Sequence, residues 1–158
     1  MGSQTHAPNT AGAWFPKVWK LLPKTYKSAV KAFHTHYYPQ CEPGMTHDGI
    51  FSADPIRKYV QGVRTWIDKI GKDFRRELWI TEIGLVMNED VRTDPRVTLY
   101  PLVVQDAMNG NVERWAWYSE NTSDGYATLC EPYSPKQTSL GNVFAAMQSG
   151  VYPLKQKV

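Results

Sequence analysis

The chain has 158 residues, 42% of them hydrophobic and 13% aromatic, which is enough for one packed core and too little for two ordinary domains. Lysine and arginine total 18 against 15 acidic residues, so the net charge is only +3 with the basic side chains scattered, and neither nucleic acid nor a membrane is expected as a partner. No apolar run approaches the roughly 20 residues that cross a bilayer, and the chain reads as a soluble protein.

Met1 to Asn9 are polar and small, show no secretory signal and read as a ragged leader. The expected organisation is a disordered leader over 1–13, one domain over 14–152 and a tail over 153–158. Localisation stays open, although secretion fits a longer parent protein. Trp14 to Leu22 predicts a helix halted by Pro23. Ala29 to Tyr38 (AVKAFHTHYY) predicts a strand of aromatic and branched residues, closed by Pro39 and a loop through Ser52.

Asp54 then caps a helix that Pro55 opens. Ile56, Tyr59, Val60, Val63, Trp66, Ile67 and Ile70 form its apolar stripe, Arg57, Lys58, Arg64 and Asp68 face outward, and Gly71 ends it. Glu77 to Ile83 (ELWITEI) predicts a second strand, broken by Gly84. Asp94 and Pro95 repeat the opening for a helix to Met108, which Pro101 either kinks or delays, and Asn109-Gly110 closes it. Val112 to Tyr118 (VERWAWY) predicts a third strand. Ser139 caps a last helix carrying Leu140, Val143, Phe144 and Met147 up to Gly150. Cys41 and Cys130 fit free thiols or one bridge, with free thiols favoured.

Strand, loop and helix in repetition predict βαβ units and a parallel sheet, an α/β fold. The loops that follow the strands are longer than those that precede them, and that carboxyl edge is where such sheets carry chemistry. Regular alternation puts Ile80 and Glu82 on one face of the second strand and Trp79, Thr81 and Ile83 on the other. A carboxylate between isoleucines is costly unless paired or solvated. Glu82 is therefore either salt-bridged, to an arginine such as Arg114, or functional.

The neighbouring strands favour function. His34, His36 and Tyr38 share a face at the end of the first strand, Trp115 and Trp117 share one on the third, and all lie near the rim that Glu82 occupies. Histidine and tyrosine can hydrogen-bond a carboxylate or sugar hydroxyls, and tryptophan can floor a sugar subsite. The 6 tryptophans and 9 tyrosines suit a glycan cleft. His34 and His36 alone are a weak metal signal and there is no phosphate-cradling glycine loop, so no metal or cofactor is expected.

H-Y-Y-P at His36 to Pro39, W-I-T-E-I-G at Trp79 to Gly84 and R-W-A-W-Y at Arg114 to Tyr118 occur in that order. Together they resemble strands six, seven and eight of the clan A retaining glycoside hydrolases. The resemblance implies part of a (β/α)₈ TIM barrel, about three parallel βα units with a preceding helix, acting on a β-linked polysaccharide or oligosaccharide. It makes Glu82 the nucleophile, His36 and Tyr38 cleft residues from strand six, and Trp117 or Trp115 the tryptophan that ends strand eight.

A retaining mechanism needs two carboxyl groups about 5 to 5.5 Å apart. The family's acid/base glutamate follows an asparagine on strand four, which the resemblance places before the matching segment. Asn88-Glu89 follows no strand and is rejected for that role, and Glu120 reads as a solvated loop residue. A full barrel needs about 250 residues, so the chain is expected to supply its closing strands and to be weak or inactive alone. A partner segment or self-association would then complete the sheet. The competing reading is a non-catalytic carbohydrate-binding or scaffold module that stacks sugars on Tyr37, Tyr38, Trp115 and Trp117, and a third is an open-sheet α/β domain with another ligand.

Overall fold

The structure is a computed structural model and describes residues 14–41, 44–70, 76–118 and 127–148. Helix α1 (Trp14–Leu21) ends where the backbone of Leu22 bonds back to Val18 and Trp19, just before Pro23. The next residues form a short helix, α2 (Lys24–Ala29), that the sequence reading missed, because the following strand was expected from Ala29. Strand β1 runs only over Ala32–Tyr37. None of the side chains of α2 is buried, so its local backbone bonds leave no apolar period to read.

Two short elements follow β1: a 3₁₀ turn (Pro39–Cys41) and α3 (His47–Ile50). Helix α4 (Ala53–Ile70) buries Ile56, Val60, Val63 and Ile67, the centre of the expected stripe. Its cap is Ser52, whose hydroxyl accepts the Asp54 N–H at 3.2 Å. Asp54 sits inside the first turn instead, where its charge suits the helix dipole and meets Arg57 at 3.0 Å. Arg64 also departs from expectation. It turns inward, 13% exposed, to bond the carbonyls of Arg76 and Asn111 and the Glu113 carboxylate, tying the helix to the starts of two strands.

Strand β2 spans Glu77–Ile83 as expected. Helix α5 (Glu89–Thr93) follows, with Asn88 as its cap accepting the Val91 N–H. Pro95–Leu99 form a 3₁₀ turn before helix α6 (Tyr100–Met108), so Pro101 delays this helix rather than kinking it. Strand β3 is Arg114–Trp117 and helix α7 is Ser139–Gln148, capped by the Thr138 hydroxyl one residue before the expected Ser139. Cys130 is a free, half-buried thiol, and the expected stop at Gly150 lies outside the described residues.

The fold class is α/β. The three strands pair in parallel in the order β1-β2-β3, with α4 packed on α6 and α6 on α7. The strand order does not reverse, and the crossover helices α4 and α6 pack on each other over the buried face of the sheet. A parallel three-stranded sheet in this order is consistent with part of an α/β barrel-like core. The core lies between sheet and helices, with Leu78, Ile80, Ile83, Leu85, Tyr100 and Val104 all 0% exposed. Among the described residues, no helix is long and apolar enough to cross a membrane.

One irregularity changes what the sheet presents. On β1, Thr35 pairs with Ile80 and the next residue, His36, pairs with Glu82; on the other side, Trp115 and Trp117 pair with Ile80 and Ile83. Strand β2 therefore carries one extra residue, Thr81, as a β-bulge. Regular alternation would bury Glu82 beside Ile80. The bulge sends Ile83 into the core with Leu78 and Ile80, and turns Glu82 to the opposite face, where the described residues leave it partly exposed.

Candidate active site

Glu82 stands near the carboxyl end of the central strand, its side chain 34% exposed. Two groups from the end of β1 meet one of its oxygens. The Tyr38 hydroxyl donates to Oε2 at 2.7 Å, and His36 Nδ1 lies 3.1 Å from the same atom. An imidazole carrying its proton on Nδ1 is the second donor. No hydrogen bond from the described residues reaches Oε1, and the carboxylate meets solvent through a half-open surface. Arg114 is not its counter-ion. That guanidinium stacks 5.1 Å over Trp79 and lies 3.9 Å from Glu77, while the Trp79 indole donates to Glu77 at 2.6 Å.

The geometry at Tyr38 depends on Gly84. A Cβ at position 84 would stand 2.1 Å from the Tyr118 carbonyl oxygen and 3.6 Å from the Tyr38 ring. Only a glycine lets the ends of β2 and β3 close, with the Tyr118 N–H bonded to the Ile83 carbonyl at 2.8 Å. Tyr118 then packs edge-on against Tyr38 at 6.1 Å. Tyr38 itself is 5% exposed, so a well-packed ring delivers its hydroxyl to the carboxylate.

The structure brings His36 and Tyr38 to Glu82 and does not bring Trp115 or Trp117 there. Both indoles point to the helix side of β3. Trp117 is 8% exposed, bonded to the Ala127 carbonyl at 2.8 Å and edge-on to Tyr100. Trp115 donates to Gln105 at 2.7 Å and packs on Phe144. It lines a cavity of about 370 Å³ with Gln105, Met108 and Gln148, away from Glu82. Their shared face follows the alternation of β3, which has no bulge, so the single extra residue in β2 separates them from Glu82. Tyr37 is also buried, stacked on Tyr59 at 4.6 Å.

Sequence reasoning missed two members of the open face, Trp79 and Thr81, because it assumed an unbroken period of two. A signal was present: in ELWITEI the apolar residues Leu78, Ile80 and Ile83 are spaced by two and then three. Of the other acidic candidates, Glu89 is an exposed residue in the first turn of α5, and Glu120 lies outside the described residues. Among the described residues, no three metal-ligating side chains come together.

The rim around the site is braced by charge. Asp94 accepts from the Arg96 backbone and side chain and lies 2.9 Å from His47, while Arg96 reaches Asp48 and covers the Phe51 ring at 4.5 Å. These contacts tie the loop after β1 to the loop after β2. The hydrogen bonds from Arg96, aided by His47, hold the Asp94 carboxyl well below the usual carboxylate range.

Comparison with known families matches residues 10–144 to the model of the glycosyl hydrolase catalytic core, and the chain belongs to that family. No curated protein and no solved structure matches the chain.

Proposed function

We propose that this member of the glycosyl hydrolase catalytic core family cleaves β-linked glycans with retention, with Glu82 as the nucleophile. The observation that carries this reading is the one-sided hold on the carboxylate. Tyr38 and His36 both engage Oε2, which fixes the group's orientation and leaves Oε1 to attack an anomeric carbon. The bond that forms joins Oε1 to the sugar, and the glycosidic oxygen leaves with the bonding pair and a proton from an acid. In the second half, water displaces the carboxylate.

Glu77 is engaged with Trp79, and none of the other described carboxylates shares the hydrogen bonds around Glu82. On this reading the acid/base comes from outside the three strands, and so does the cover for the open sheet face, whether from further strands of a longer chain, a partner or a second copy. Natural glycosides are then hydrolysed slowly by the 158-residue chain alone.

The burial of Tyr37, Tyr38 and Trp117 weighs against a purely binding module, which needs exposed aromatic faces. The test is trapping with a 2-fluoro-glycoside bearing an activated leaving group, which departs without acid assistance. Mass spectrometry is expected to find the sugar esterified to Glu82, with no adduct on Glu82→Gln. An adduct on another carboxylate, or glycan binding with no adduct at all, would sink the assignment.

A further inference from the structure

The open face holds a histidine and a threonine that the proposed mechanism leaves unused. Thr81 is the extra residue of the bulge and has no partner in either ladder, β1–β2 or β2–β3. A bulged residue forgoes the ladder bonds that hold a regular strand, so the backbone beside it is the least constrained part of β2. That backbone carries Glu82. A side chain supplies the missing tie: Thr81 Oγ1 lies 3.1 Å from Nδ1 of His34, on the neighbouring strand.

The tie comes from the strand that also holds the carboxylate. His34 and His36 project from the same face of β1 with ring centres 6.1 Å apart. One reaches the bulge and the other reaches the group the bulge presents. The position of Glu82 is thus set from β1 at both ends of a two-residue segment. We propose that His34 and Thr81 are positioning residues: their hydrogen bond pins the bulge, and the pinned bulge fixes where the Glu82 carboxylate sits against Tyr38 and His36. The catalytic consequence rests on reading Glu82 as the nucleophile, whereas the geometric claim does not.

The gross register of β2 has other supports. Ile83 is fully buried, and the apolar surface it removes from water fixes which face of the sheet it takes. Loss of the His34–Thr81 bond therefore shifts the carboxylate without turning the strand over. The variants that test this are Thr81→Val, which keeps the shape and removes the hydroxyl, His34→Ala, and Thr81→Ser, which keeps the hydroxyl.

In the full chain labelled with ¹³C at glutamate carboxyl carbons, Tyr38→Phe gives the resonance of Glu82 without its tyrosine partner. Thr81→Val and His34→Ala are expected to move the Glu82 resonance toward that position, and Thr81→Ser to leave it in place. The double variant should move it no further than either single, because both cut the same bond. In the trapping reaction, Thr81→Val and His34→Ala should slow Glu82 esterification roughly ten- to hundredfold with unchanged affinity for the glycoside.

An unmoved resonance in Thr81→Val would overturn the proposal, as would a Thr81→Ser variant that behaves like Thr81→Val. If Thr81→Val fails to fold, the exposed His34 provides the same comparison through His34→Ala. A parent chain that is never esterified refutes Glu82 as nucleophile, and the resonance comparison still decides the pair.

Discussion

On the helix side of the sheet, Leu78, Ile80 and Ile83 are fully buried against α4 and α6, and the face is almost wholly apolar. On the other side, the same strands present His34, His36, Thr81, Glu82 and Arg114, each with a polar partner and each meeting solvent. The difference teaches that stability and chemistry are divided by face, and that one inserted residue, Thr81, decides to which face Glu82 belongs. Removing atoms from the first face should unfold the protein without a specific effect on the carboxylate. Removing groups from the second should disable the carboxylate in a folded protein.

The largest expected effect is therefore on the buried side. Ile80→Ala should lower the unfolding free energy by about 2–5 kcal/mol, since the cavity opens between sheet and helices. Glu82→Gln, on the open face, should change it by less than about 1 kcal/mol. Urea unfolding of the two variants side by side measures the contrast, and a Glu82→Gln variant as unstable as Ile80→Ala would break it.

Gly84→Ala comes next and belongs to both faces. Its Cβ meets a backbone oxygen at 2.1 Å, which no rotamer can relieve, so the ends of β2 and β3 must separate. We expect a loss of about 1–3 kcal/mol together with a displaced Tyr38 hydroxyl, visible as slower trapping at Glu82. A stable variant with unchanged trapping would show that the close approach is dispensable.

Trp117→Phe is predicted to act on stability alone. It leaves the Ala127 carbonyl without its indole donor, at a cost of about 1–3 kcal/mol. Glycan affinity should be unchanged, which isothermal titration with an oligosaccharide would measure; a selective loss of affinity would return Trp117 to the sugar site.

Much of this division was legible in the sequence, and where it was not, the reason is physical. The limits of β2 follow from ELWITEI ending at Gly84, and the apolar stripe of α4 follows from its period. The gathering of His36, Tyr38 and Glu82 follows from two strand ends meeting at one rim. What failed was the assumption that side chains alternate without interruption. A bulge leaves each residue with ordinary propensities, and its one trace in the strand is the apolar spacing of two and then three from Leu78 to Ile83. The same assumption sent Trp115 and Trp117 to the site, because facing relations between strands depend on register and not on the pattern within each. Arg64 was read as outward from its helical position alone, whereas its length lets it reach back to two carbonyls and Glu113.

The rim is a third kind of region, neither core nor open face, and its effect should be the smallest. The folded-state pKa of Asp94 is depressed below its ordinary 3.8, chiefly by the hydrogen bonds from Arg96. A depressed carboxyl contributes stability that is fully present above the unfolded value and is lost as pH falls through the folded one. The stability difference between the parent and Asp94→Asn should thus be present above about pH 3.8 and shrink below it. Because Arg96 and Asp48 are well exposed, added salt should also reduce the difference at neutral pH. Thermal unfolding midpoints across pH and salt would read both trends. A difference that grows as the pH falls below 3.8 would mean that the loops after β1 and β2 are held together by something other than this carboxylate.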